Sequence, residues 1–364
     1  MSYKGRYTAP KKSVGWKKVV LIIFLVILLT LVAAAAMGVI YWYSTINKIN
    51  RATANDANFS PEEQASIESE LSIDNDKAVD STDPTDPLVE DPDDYIKNDD
   101  NIINILLIGQ DMRKGQSWKL SDSMILCTIN LDEKTLTMTS FLRDMYVKLP
   151  NYMDHKCGYN RINNCYSLGY SWNGTIGAME MLDQCLLENF GVQVDYNVEI
   201  DFTAFEKVVD IMGGVDIELT KAEASHLNKG SDWGLTSGLN HLNGEQALAY
   251  ARIRKIDNDF YRTNRQRTVM NVLFEKCRGL SISELNDLLQ TLLPMVTTDM
   301  DNTVITEYAL KILPMISGMT VYSQAIPAEG TYYYANKGTE EEPKEVIVPN
   351  LEKNREILKD TIGG

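Results

Sequence analysis

Apolar and polar positions change their spacing several times along this chain, and each change marks a boundary. Residues 19–40, VVLIIFLVILLTLVAAAAMGVI, run for 22 positions without a charge, about 33 Å as a helix and enough to cross a bilayer. Tyr41, Trp42 and Tyr43 follow as an interfacial aromatic belt, and Lys4, Arg6, Lys11, Lys12, Lys17 and Lys18 precede the run. The positive-inside rule then keeps residues 1–18 as a cytoplasmic tail and exports the rest of the chain. A cleaved signal peptide is the rival, with Ala33–Ala36 as the cleavage region. The apolar run continues past those alanines, so a retained single-pass anchor over 19–43 is the expectation.

Residues 44–100 break the pattern. The stretch STDPTDPLVEDPDDY has almost no apolar positions to bury, so a largely disordered, extended acidic stalk is expected. Within it, SPEEQASIESEL predicts at least a helical turn, with Ser60 as N-cap and Pro61 at the first helical position.

Regular patterning starts at Asn101. NIINILLIG is a short apolar run ending at Gly-Gln-Asp, the mark of a buried strand opening into a loop. DSMILCTINLDEKTLTMTSFLRDMYVKL reads as two strands joined by the polar turn Asp132–Thr135, a hairpin. Helical spacing marks Thr175–Gly191, DFTAFEKVVDIMGG, NGEQALAYARIR, RTNRQRTVMNVLFEKCRG, Ile282–Leu293 and Val304–Ile316. DYNVEI, VDIEL, MTVYSQAIP and EVIVPN read as further strands. Strands alternating with helices predict an α/β fold, an α-β-α layered domain over residues 101–362.

Charge sharpens this division. The formal net charge is −16, yet residues 1–51 carry eight bases and no acid, and residues 52–100 carry sixteen acids against two lysines. The remaining 35 acids and 25 bases leave the folded part only moderately acidic, at −10. Nucleic acid is excluded as a partner, since a phosphate-tracking face needs broad basic surface. A compact cationic pocket for one phosphate group is not excluded. Of the five cysteines, Cys157 and Cys165 flank a short loop and could bridge in an oxidising compartment. Cys127, Cys185 and Cys277 lie in apolar patterns and read as buried small hydrophobes.

No phosphate-binding glycine loop, dinucleotide fingerprint or nucleophile elbow occurs. His155, His226 and His241 sit in polar contexts without metal-ligand spacing. What remains is charge at element ends. Asp111 follows the first strand, Asp122 opens the next, and Arg143 and Asp144 close the hairpin. YARIRKIDNDFYRTNRQR then gathers six cations in one short segment, including Arg252, Arg254 and Arg262, with Asp259 and Gln266 among them. Arginines spaced this way present planar donors toward one anion. Two aspartates at neighbouring strand ends suit a magnesium ion, which takes a carboxylate or two plus substrate phosphates. Phe202, Phe205, Val208 and Met212 are candidates for an apolar groove or for ordinary core. Lys255, Arg265 and Arg267 read as surface or structural residues.

The series NILLIGQD, SDSMILCTINLDEKTLTMTSFLRDMYVKLP, RINNCYSLG, FEKVVDIMGGVDIEL, LNGEQALAYARIRK and DFYRTNRQ resembles the LytR-CpsA-Psr family of Gram-positive bacteria. The resemblance covers about residues 101–280 and implies a domain of that family's type with a central mixed sheet. It implies a magnesium-dependent phosphotransferase, with manganese as the alternative ion. Such an enzyme moves a glycopolymer from an undecaprenyl-pyrophosphate carrier onto the muramic acid 6-hydroxyl of peptidoglycan as a phosphodiester. By the same resemblance Asp111 and Asp122 are metal-linked, and Arg143, Arg252, Arg254, Arg262 and Gln266 contact pyrophosphate. Arg143, Arg252 and Arg254 are catalytic, with Asp259 as a general base. Arg267 stands where the family more often has Gln. The partners implied are a polyprenyl-pyrophosphate-linked glycan donor, a peptidoglycan acceptor and the cell membrane. A polyprenyl-pyrophosphate hydrolase and a non-catalytic lipid-pyrophosphate-binding regulator remain the rival readings.

Overall fold

The computed structural model describes residues 35–54, 56–57, 59–72, 78–80, 82–89, 91, 95–96, 101–111 and 120–362, without the side chains of Asp111 and Ile282. Two compact units divide the chain, residues 1–47 and 48–364. The first is described as helix α1 over 35–46, in which Thr45 Oγ1 donates to the carbonyl of Tyr41. The cytoplasmic tail and most of the expected span fall on residues 1–34, outside the described residues. Among the described residues no helix is long and apolar enough to cross a membrane.

The second unit is built on a seven-stranded mixed sheet. Its strands are β1 (Asn50–Arg51), β2 (Ile102–Asp111), β3 (Leu120–Asn130), β4 (Thr135–Phe141), β7 (Tyr196–Asp201), β10 (Val296–Thr298) and β11 (Thr320–Ile326). They lie in the order β1-β10-β7-β2-β3-β4-β11. β3 and β4 form the expected hairpin, and the Asn130 side chain caps its turn by accepting from the amides of Asp132 and Glu133. Short two-stranded ribbons pair β5 (Tyr146–Lys148) with β6 (Tyr159–Arg161), β8 (Val215–Leu219) with β9 (Gly238–Leu242), and β12 (Tyr332–Asn336) with β13 (Glu345–Pro349).

Alternation along the strands splits the core into two layers. Leu106, Ile108, Met124 and Leu126 face α3 (Asn164–Phe190) and α10 (Leu351–Ile362). Ile103, Ile125, Cys127 and Ile129 face the opposite side, toward α7 (Asp259–Arg278) and α9 (Asn302–Ile312). The α-β-α layering is therefore as expected. Beside the second layer, α4 (Phe202–Ile211), α5 (Lys221–Leu227) and α6 (Gly244–Ala251) wrap a further apolar cluster with the β8-β9 ribbon.

Three local expectations change. α3 begins eleven residues before its predicted start and bends at Asn173–Gly174. Its two arms cross at Gly169, where a Cβ would lie 2.2 Å from the Gly177 carbonyl oxygen. The cysteines are all free thiols, so Cys157 and Cys165 do not bridge. Cys165 is fully buried instead, with its hydrogen-bonding neighbour at Cys185.

The described parts of residues 48–96 pack against the domain, in contrast to the extended stalk expected. α2 (Pro61–Leu71) has the predicted Ser60 cap and buries Ile67 to 2% exposure. Gln64 donates to the Ser171 carbonyl at 2.7 Å, and the Trp172 indole donates to Glu68 at 2.6 Å. The acids of the Pro/Asp stretch find donors as well. Asp83 accepts from the Tyr146 hydroxyl and Asp86 from the Leu351 amide at the start of α10. Composition counts apolar surface and misses acceptors that the rest of the domain satisfies.

Candidate functional site

The site grows from an irregularity between β2 and β3. Gly109 pairs with Ser123 and Gln110 with Ser121, so Asp122 is the extra residue of a β-bulge. Such bulges re-aim a side chain beside a site. Asp111 pairs with Leu120 across the same strand end. The backbones of the two predicted metal-linked aspartates are therefore neighbours, as the sequence suggested.

Arg143 follows β4 in a turn and is buried. Its guanidinium hydrogen-bonds Asp122 and stands 3.6 Å from Asp144 and 3.8 Å from Asp259. Burial works against its charge, but the three carboxylates, Asp122 foremost, outweigh that and raise its pKa.

The arginine-rich segment divides into a loop and a helix. α6 starts at its predicted cap, Asn243, but ends at Ala251. Arg252 and Arg254 thus lie in the loop, exposed, with the Arg252 guanidinium 4.4 Å above the Phe202 ring. Asn258 caps α7 by accepting from the amides of Phe260 and Tyr261. Asp259 is then the first helical residue, where a carboxylate meets the positive end of the helix dipole. Arg262, one turn on and buried, lies 2.7 Å from Asp259.

Neither carboxylate oxygen of Asp259 meets an aligned hydrogen-bond donor among the described residues, nor does Arg143 Nε meet an aligned acceptor. Burial pushes the Asp259 carboxyl above the usual aspartate range. Arg262 and Arg143 pull it back, and Asp144 and Asp122 push it further up. A buried carboxyl with a raised pKa suits proton transfer.

Beside this cluster an apolar cavity opens between the sheet and α4, α6 and α7. Leu107, Ile125, Val198 and Ile200 form its floor, and Phe202, Phe205, Leu248 and Met270 its roof. Asp122, Arg252, Arg254, Arg262 and Gln266 line the same cavity. Of the four apolar candidates, Phe202 and Phe205 line it, whereas Val208 and Met212 pack into the α4-α6 core. The arrangement offers an apolar hold next to several fixed cations, the complement of an amphiphile with a phosphate head.

Arg265 and Arg267 are buried rather than on the surface. Arg265 pairs with Glu223 at 2.7 Å and with Asp257. Glu223 is also the capping-box glutamate of α5.

A family model of the LytR_cpsA_psr family matches residues 42–346. The chain belongs to the LytR_cpsA_psr family. Over 197 residues it is 32% identical to the polyisoprenyl-teichoic acid–peptidoglycan teichoic acid transferase TagT of Bacillus subtilis, covering 52% of this chain and 57% of that relative. The chain thus spans just over half the length of TagT in that alignment. It is 29% identical over 269 residues to the regulatory protein MsrR of Staphylococcus aureus, covering 73% and 75%. A solved structure described as TagT bound to LIIa-WTA superposes with a TM-score of 0.57 at 26% identity, covering 76% of this chain and 95% of that one. The LytR_cpsA_psr model starts at residue 42, so the match takes in the packed segment before β2 as well as the sheet.

Proposed function

We propose that this LytR_cpsA_psr protein transfers a glycopolymer from a polyprenyl-pyrophosphate carrier onto a peptidoglycan hydroxyl, leaving a phosphodiester. The observation that carries the proposal is the junction of an apolar cavity with Arg252, Arg254 and Arg262. TagT's printed name, a transferase from a polyisoprenyl carrier to peptidoglycan, supports the same reading.

The acceptor hydroxyl, the muramic acid 6-hydroxyl by family resemblance, attacks the sugar-proximal phosphorus. A new oxygen–phosphorus bond forms as the bridging one breaks. The hydroxyl proton passes to Asp259, and the electron pair leaves with polyprenyl phosphate. Phosphoryl transfer depends on positioning and on neutralising oxygen charge. We assign that role to Arg252, Arg254, Arg262 and Gln266 on the cavity lining, with Arg143 beside Asp122, so no covalent enzyme intermediate is needed. Magnesium, or manganese in its place, takes hard oxygen donors of the kind Asp122 offers on the cavity lining. Asp122 and Asp111 would hold the ion, which would neutralise pyrophosphate charge. We place the domain outside the cytoplasm, anchored through residues 19–43, on the strength of the uncharged 22-residue run.

The test uses full-length protein in detergent with magnesium, a lipid-linked oligosaccharide and a peptidoglycan oligomer. Glycan phosphate covalently attached to peptidoglycan is expected. Free glycan phosphate alone would make the protein a hydrolase, and donor binding without turnover would make it a regulator. Arg254→Ala and Asp122→Ala should each lower kcat/KM by about 100-fold. Full activity in both would refute the site assignment.

A further inference from the structure

The charged cluster is a partition. Asp122 and Arg262 line the apolar cavity, whereas Asp144 and Asp259 line a second cavity together with Asp257, Tyr334 and Glu345. Arg254 lines both. The contact of Arg262 with Asp259 at 2.7 Å and the Arg143 guanidinium set between Asp122 and Asp144 make up the wall.

The two sides differ in chemistry. Among the described residues, four carboxylates, Asp144, Asp257, Asp259 and Glu345, line the second cavity against one cation, Arg254. Together the carboxylates disfavour a pyrophosphate and accept hydrogen bonds from neutral hydroxyls. The cavity's aromatic wall residue, Tyr334, ends a series of packed rings. Phe260 stacks on Tyr332 with ring centres 4.7 Å apart, and Tyr332 meets Tyr334 edge-on at 5.7 Å. Tyr334, held by that contact, leaves 46% of its surface open. A rigid aromatic face beside hydroxyl acceptors matches a sugar ring, which offers a C–H face and a hydroxyl edge.

Reaction geometry points the same way. Attacking and leaving oxygens lie roughly in line across the transferred phosphorus. With the prenyl phosphate leaving into the apolar cavity, the nucleophile must approach from the opposite side of the partition. Asp259, the carboxyl short of hydrogen-bond donors, lines that side.

We infer that the second cavity is a sugar subsite for the acceptor glycan, with its attacking hydroxyl directed at Asp259; this rests on the transferase reading above. Tyr334 and Glu345 grip the sugar and are specificity-determining residues.

Glu345→Gln and Tyr334→Ala test this in the full-length protein, with circular dichroism as the check on folding. Each should raise KM for a soluble peptidoglycan oligosaccharide by about tenfold, with the donor KM unchanged. Tyr334→Phe keeps the ring and should retain most of the affinity. A donor arm compares the glycan-bearing lipid pyrophosphate with the same lipid pyrophosphate lacking glycan. If the variants weaken only the glycan-bearing one, the donor's own sugar occupies the cavity and the acceptor assignment falls. Calorimetric titration of the peptidoglycan oligosaccharide into protein without donor gives a third reading. Weaker binding in Glu345→Gln supports the subsite, and unchanged or absent binding overturns it. That titration needs no turnover, so it separates a wrong subsite from a wrong reaction.

Discussion

Arg265 donates through Nη1 to the carbonyl oxygen of Ile253 at 3.2 Å, so one buried guanidinium holds the residue between Arg252 and Arg254. The same group binds Glu223 on α5 and Asp257 at the far end of the loop. Helix, loop and neighbouring helix are thereby tied at one point, and the two cavity arginines inherit their positions from it.

Removing that tie should cost stability before it costs chemistry. Arg265→Met leaves Glu223 and Asp257 largely buried without their cation. A loss of about 3–5 kcal/mol in denaturant unfolding is expected, with Arg265→Lys intermediate because it keeps the charge but not the fork. Burial would raise the Glu223 carboxyl, but hydrogen bonds from Arg265 and Thr220 outweigh it and hold its pKa below the usual glutamate range. Its contribution is therefore present above the unfolded pKa and lost as pH falls through the folded one. The gap between wild type and Arg265→Met should narrow on acidification. A constant gap would show that Glu223 is not the partner that counts.

Asp259 carries the opposite sign. Its folded pKa is raised, so the protonated form persists above the usual aspartate range. The stability tied to it is complete below the unfolded pKa and fades as pH rises through the folded one. As a base it must be ionised, so kcat/KM should rise with pH along a limb displaced above that range. Asp259→Asn should lower the rate and abolish the limb. A limb that survives the substitution would assign it to another group.

Much of the site was legible in the chain. Strand ends, hairpin and helix spacing located Asp111, Asp122, Arg143 and the arginine segment, because local pattern decides those features. The inward turn of Arg265 had a signal too, since Val269 and Leu273 follow it at i+4 and i+8 on the buried face of α7. Spacing ranks an arginine by its charge and not by waiting carboxylates, so the residue read as surface or structural. Tyr334 and Glu345 lay beyond sequence reasoning. They reach the site through the β12-β13 ribbon, which returns more than 70 residues after Asp259, and nothing local encodes that contact.

The packed segment before β2 makes its own prediction. Ile67 is buried in the face that α2 turns toward the domain, so Ile67→Ala should destabilise the protein by about 2–5 kcal/mol. An extended stalk would register no change. Calorimetric melting of the two proteins decides between them, and a Tm difference near zero would mean that α2 does not hold to the domain in solution.

The apolar cavity can be tested without touching a charge. Val198 stands on a central strand of the sheet yet remains half-buried, because it faces the cavity rather than packed side chains. Val198→Trp should fill that floor and leave Asp122, Arg254 and Arg262 in place. Each buried methylene of a lipid tail contributes about 0.8 kcal/mol, so losing two costs more than about tenfold in affinity. KM for a long-chain polyprenyl donor should therefore rise, while KM for a donor with a single isoprene unit should barely move. Equal effects on both donors would mean that the indole disturbs the arginines, and no effect on either would place the tail elsewhere.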